Sequence, residues 1–130
     1  MSTGISGTGD EIRPVRYVGD SLKVISAMPV DCQDEIGVAL RHAQVGMRGY
    51  KVKVLQGFGG ASVLQITSSS REGTFRVVYT VRFPQAVFVL HAFQKKSKSG
   101  RATPAEDMDR VRRRLQQAEA DYAEFYPESS

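Results

Sequence analysis

The chain has 130 residues, 41% of them hydrophobic and 25% charged, which fits one domain with a single core. Its one cysteine, Cys32, excludes an internal disulfide and reads as a buried, inert thiol. The longest apolar run, Ala86 to Phe93, is broken by His91 and is far too short to cross a bilayer. The net charge of +4 is unevenly spread: nine basic residues and one acid, Glu72, lie between Tyr50 and Arg101. A basic middle between acidic flanks points to a polyanion site in one part of the fold, or more simply to a lysine-rich solvated surface.

Residues 1–10 are rich in Ser, Thr and Gly, lack the regions of a signal peptide and read as a loose tail. A cytoplasmic protein is expected. Ile12 to Val18 is β-rich, and Pro14 suggests an edge strand. Gly19-Asp20-Ser21 offers an N-cap for a helix starting near Leu22, with Leu22, Ile25 and Met28 on one face and Pro29 as its stop. A second helix is expected from Val30, with Val30, Ile36, Ala39, Leu40 and Ala43 as its apolar stripe. Its early acids and late Arg41 and His42 suit the helix dipole, and Gly46 and Gly49 end it.

The middle of the chain reads as β. Lys51 to Leu55 alternates, Gly57-Phe58-Gly59-Gly60 turns, Ser62 to Thr67 is a strand, and Ser68 to Gly73 is a second turn. Phe75 to Phe83 is the best-patterned strand. Phe75, Val77, Tyr79 and Val81 point one way, while Arg76, Val78, Thr80 and Arg82 point the other. Pro84-Gln85 leads into Ala86 to Phe93, whose nearly continuous apolar character suggests an interior strand. Three strands with short connections make an antiparallel meander. Lys95 to Arg101 reads as a basic loop. Thr103-x-x-Glu106, with Pro104 between, reads as a capping box opening the last helix. Its stripe of Met108, Val111, Leu115, Ala118, Tyr122 and Phe125 is expected to pack on the sheet, and Pro127 ends it. The expected fold is α+β in one domain over residues 11–126, with tails at 1–10 and 127–130.

Two histidines and one cysteine have no metal-ligand spacing, so no metal or other cofactor is expected. There is no GxxxxGK loop, and Gln56-Gly57-Phe58-Gly59-Gly60 has no helix after it, which favours a hairpin turn over a phosphate loop. Ser68, Ser69 and Ser70 read as turn residues rather than nucleophiles. What stands out is the basic set on the strands and their exits. A sheet with helices on one side leaves its other face open, and Arg76 and Arg82 there can clamp phosphate through their planar forks, or can simply be solvated. His91 is equally readable as a core histidine. Lys95, Lys96 and Lys98 leave the last strand as a cluster that becomes an anion funnel if Arg76 lies beside it.

Four segments in order carry a family likeness: Val54-Leu55-Gln56-Gly57-Phe58-Gly59-Gly60, then Thr74-Phe75-Arg76-Val77-Val78-Tyr79, then Val89-Leu90-His91-Ala92-Phe93-Gln94-Lys95-Lys96-Ser97, and Thr103-Pro104. Over roughly Val15 to Phe125 the chain resembles the RelE/HigB toxins of type II toxin–antitoxin pairs, above all their phage-derived branch. The resemblance implies a RelE-like fold: an N-terminal strand and two helices, an antiparallel meander and a C-terminal helix. It implies ribosome-dependent cleavage of messenger RNA by attack of a ribose 2′-hydroxyl on the adjacent phosphate, under the control of a cognate helix-turn-helix antitoxin. No membrane partner is implied. Arg76 matches the arginine that contacts the scissile phosphate. Lys95 falls where the family has a basic residue at the last strand's exit, and His91 is placed to transfer a proton if its ring faces the cleft. Arg71, Arg82, Lys96, Lys98 and Arg101 are the expected RNA-binding residues. Val63-Leu64-Gln65-Ile66 carries neither of the two lysines that RelE has before its arginine strand, and no tyrosine lies between Phe93 and Tyr122, which leaves the general base to His91 or Tyr126.

Two alternatives follow from those departures. The fold also serves ParE-like toxins, which poison DNA gyrase without cutting RNA, and it would suit a catalytically inactive phage-derived nucleic-acid-binding module. The nuclease reading requires Arg76 and the Lys95–Lys96 pair to meet on one open side of the sheet. An Arg76 beneath the helices, or many ångströms from those lysines with no shared groove, would end it.

Overall fold

The computed structural model describes residues 12–96 and 102–127. The order of elements is β1 (Val15–Tyr17), α1 (Ser21–Ser26), α2 (Val30–Gln44), β2 (Val52–Val54), β3 (Val63–Ser70), β4 (Gly73–Thr80), β5 (Val87–Gln94) and α3 (Ala105–Phe125). The fold is α+β, as expected for a RelE-like chain. The strands form one sheet in the order β1-β5-β4-β3-β2. β2 through β5 run antiparallel, and β1 lies parallel to β5 at one edge, so Pro14 sits where a strand needs no second ladder. β5 is an interior strand, in keeping with its apolar run.

Alternation along the strands sorts side chains onto two faces. Phe75, Val77 and Tyr79 pack with Ile25 of α1, Met28 of the α1–α2 link, and Cys32, Ile36, Leu40 and Ala43 of α2. Val78, Val63, Phe88 and Leu90 pack with Val111, Leu115, Ala118 and Tyr122 of α3. Burying each of those larger α3 side chains is worth about 1.5–3 kcal/mol. The expectation of an open second face therefore fails. The apolar stripe of α3 needed a face, and the one left by α1 and α2 is the face that carries Arg76.

Several local expectations shift for physical reasons. Ser68, Ser69 and Ser70 belong to β3, because Arg71 and Glu72 alone make the turn into β4. Asp20 is the N-cap of α1, but its carboxylate accepts from Arg114 instead of capping. Thr103 makes no capping box: its hydroxyl donates to Gln65, Pro104 takes the N-cap position, and α3 begins at Ala105. Leu22 and Phe125 are about half exposed and Val30, at the first turn of α2, is 72% exposed, so each of the three helical stripes is one residue shorter than expected. Gly19 adopts φ +61°, and a Cβ there would stand 2.8 Å from the guanidinium carbon of Arg114, so that arginine needs the glycine beside it.

One irregularity positions the site. Between β4 and β5 the pairing passes from Val78 with His91 to Tyr79 with Val89, leaving Leu90 as an extra residue. Val87 and Val89 face α1 and α2, and simple alternation would send His91 the same way. The bulge instead puts Leu90 and His91 in succession on the α3 side.

Candidate functional site

Under the start of α3 the sheet presents a row of polar side chains. Register places Lys53 opposite Gln65, Gln65 opposite Val78, and Val78 opposite His91, with Arg76 one step along the same face. Arg76 is 5% exposed. Its Nη1 donates to the carbonyl of Ala102 at 3.3 Å, and its Nε has no partner among the described residues. No carboxylate among them forms an ion pair with it. Gln65, fully buried, accepts from Thr103 Oγ1 at 2.8 Å, while its Nε2 is also unpartnered. Two buried nitrogen donors thus lie side by side beneath Ala102 and Thr103, short of acceptors.

His91 is 3% exposed and lies flat against Phe93, with ring centroids 4.9 Å apart. Its Nε2 is 2.7 Å from Asp107 Oδ1, and its Nδ1 is 3.4 Å from Arg114 Nη1. Because Arg114 can only donate, Nε2 carries the proton and donates to Asp107. Burial lowers the His91 pKa, Asp107 opposes that shift, and Arg114 adds to it, so the ring is held neutral. Arg114 also donates to the Leu90 carbonyl at 3.1 Å and to Asp20 at 2.9 Å, tying α3 to β5 and to the start of α1.

The basic residues singled out in the sequence divide into separate groups. Lys95 continues the row of His91 and Phe93, and its amide donates to the Thr74 carbonyl at the β3–β4 hairpin end. Arg71, in that hairpin's turn, and Lys96 are exposed at the same end of the sheet. Arg82 is not part of it. It lies six positions past Arg76, about 20 Å at ~3.3 Å per residue, and is held by Glu119 at 3.0 Å. Lys98 and Arg101 lie outside the described residues. Tyr126 stacks on Tyr122 and accepts from Arg16 at the β1 edge, so it does not supply a group beside Arg76. Sequence reasoning missed Lys53, Gln65, Asp107 and Arg114. The strand period of two would have put Lys53 and Gln65 on the Arg76 face, whereas the His91–Asp107 contact depends on the bulge.

Among the described residues no cluster of His, Cys, Asp or Glu could hold a metal ion, and no helix is long and apolar enough to cross a membrane. None of the curated proteins compared with the chain matches it. The family model for phage-derived Gp49-like proteins (DUF891) matches residues 23–116, which span α1 through the first half of α3 and include every member of the row. The chain therefore belongs to the phage-derived Gp49-like family, a family of RelE-like toxin–antitoxin toxins.

Proposed function

We propose that the chain is the toxin of a toxin–antitoxin pair, that it cuts messenger RNA on the ribosome, and that the arrangement described here is its closed form. The observation that carries this reading is Arg76: a buried guanidinium held by one neutral carbonyl, with, among the described residues, an unpartnered Nε and no carboxylate paired to it. A cation buried for structural reasons is normally paired, because an uncompensated charge costs several kcal/mol. One left without a counter-ion beside a second unpartnered donor is suited to an anion that arrives from outside, and a phosphodiester is such an anion.

The open face that the nuclease reading requires is absent in this arrangement, since Arg76 is 5% exposed beneath Ala102 ahead of α3, so the reading stands only if that cover lifts to admit RNA. Ala102 on Arg76, Thr103 on Gln65 and Asp107 on His91 are the polar contacts holding that cover. Such bonds are worth about 1 kcal/mol each net, somewhat more where a charge takes part. The body of α3 is anchored separately by Val111, Leu115, Ala118 and Tyr122. Opening of the segment from Ala102 through the first turn therefore costs far less than undocking the helix.

In the open form Arg76 neutralises charge on the scissile phosphate, and Lys95 grips it or steadies the leaving oxygen. Arg71 and Lys96 hold the flanking backbone. Release from Asp107 frees Nε2 of His91 for proton transfer. The 2′-oxygen bonds to phosphorus as its proton leaves, the bond to the 5′-oxygen breaks, and that oxygen takes up a proton, giving a 2′,3′-cyclic phosphate and a 5′-hydroxyl. A cognate helix-turn-helix antitoxin is the expected partner. Expression without antitoxin tests the proposal: the parent arrests growth and Arg76→Ala relieves the arrest. An Arg76→Ala, Lys95→Ala double variant as toxic as the parent refutes the assignment, and gyrase inhibition without RNA cleavage would favour the ParE-like alternative.

A further inference from the structure

A cleft of about 440 Å³ opens between β2 and the start of α3, beside the covered row. Leu55 and Met108 give it apolar walls, the Val54 side chain being turned to the α1–α2 core on the other face; Gln56 and Thr103 give it polar edges, and Lys53 stands at its mouth. Among the described residues no acidic side chain lines it. Two of its lining residues, Ala102 and Thr103, are the same ones that cover Arg76 and Gln65. The cleft and the two unpartnered donors therefore share one wall, and a ligand seated in the first borders the second.

We propose that this cleft is a nucleotide subsite, in which a base lies between Leu55 and Met108 while its phosphate is held by Lys53 and, as the Ala102–Thr103 cover lifts, by Gln65 Nε2 and Arg76 Nε. The inference rests on the nuclease reading for the identity of the ligand as RNA. Three features converge on that ligand class. The unpartnered groups are all donors, which selects for an acceptor-rich anion. Lys53 lies across the strand pair from Gln65, so ammonium and amide address the same space. Apolar walls with a thioether suit the flat face of a base, and Gln56 and Thr103 can each donate to or accept from its edge. A basic peptide would find no acidic partner among the described lining residues, and an inorganic anion would leave the apolar walls unused.

The test uses the full chain with labelled methyl groups and dinucleotides (ApA, GpG, CpC, UpU) whose first ribose is 2′-O-methylated so that they cannot be cut. NMR titration is expected to move the methyl signals of Leu55 and Met108. Lys53→Ala is expected to weaken binding about tenfold through loss of a charge-assisted contact. Met108→Ala is expected to weaken it about fivefold through loss of the thioether contact with the base. Arg82→Ala, remote from the cleft, leaves affinity unchanged. Lys53 is exposed and makes no ion pair among the described residues, so its removal tests binding in a folded chain. Shifts confined to other surfaces, absence of binding at millimolar dinucleotide, or equal affinity in the parent and both cleft variants overturn the proposal. The two readings fail separately. Dinucleotides bound in the cleft of a chain that cuts no RNA leave the subsite standing and end the nuclease reading; RNA cleavage indifferent to both cleft variants does the reverse.

Discussion

Replacing Arg76 by methionine separates a functional cation from a structural one. Methionine keeps the unbranched stem against the sheet and removes the buried charge. The change forfeits one hydrogen bond to the Ala102 carbonyl, worth about 1.5–3 kcal/mol because the donor is charged. It also relieves the burial of a guanidinium that has no carboxylate partner and an unsatisfied Nε, a penalty of several kcal/mol. The second effect is the larger, so Arg76→Met is expected to stabilise the fold by about 1–2 kcal/mol, within the range seen when buried ionic groups give way to apolar ones. For a domain of this size that raises Tm by roughly 3–8 °C. Calorimetry and urea unfolding measure it, and the same protein is expected to have lost RNA cleavage. A variant that is destabilised by more than about 1 kcal/mol and unfolds cooperatively would mean that Arg76 is adequately satisfied where it is, and the case for an external anion would fail.

Four further outcomes follow from the same contacts. His91 is held neutral by burial, so its folded pKa lies below its unfolded value of about 6.5; the unfolded chain binds the proton more readily, and stability falls as pH drops below that value. His91→Gln should flatten the slope of unfolding free energy between pH 6.5 and 5, above the range where Glu35 titrates, and an unchanged slope would contradict the assignment. Asp107→Ala leaves the buried Nε2–H without its acceptor and is expected to cost about 1–3 kcal/mol while speeding hydrogen exchange in the first turn of α3. Leu115→Ala, in the body of α3, is expected to cost about 2–4 kcal/mol in thermal unfolding. Arg82→Ala breaks a partly exposed ion pair with Glu119 and is expected to cost under about 1 kcal/mol with no change in RNA cleavage.

Much of this arrangement was legible residue by residue. Alternation along Phe75 to Val81 gave the correct face for each side chain, and the spacing of Val111, Leu115, Ala118 and Tyr122 gave the buried stripe of α3. Pro14 marked the edge strand. The choice of face for α3 was less accessible, because an amphipathic helix shows that it needs a partner but not which side of a sheet receives it. Reading the arginine face as open followed from placing all the helices together. The orientation of His91 depended on one extra residue, Leu90, which no composition signal announces in a continuous apolar strand. Thr103 carried a genuine capping pattern, yet the buried Gln65 amide claimed its hydroxyl, a contact 38 residues distant in the chain. Asp20 was drawn from its cap in the same way by Arg114, from the far end of the sequence.

The central claim is that Arg76 awaits the phosphate of an RNA chain. Messenger RNA incubated with purified ribosomes and the full chain, followed by primer extension and analysis of the new ends, addresses it most directly. The account predicts discrete cuts bearing 2′,3′-cyclic phosphate and 5′-hydroxyl ends with the parent chain, and none with Arg76→Met at equal or greater stability. Cuts of the same pattern and rate from Arg76→Met would contradict it.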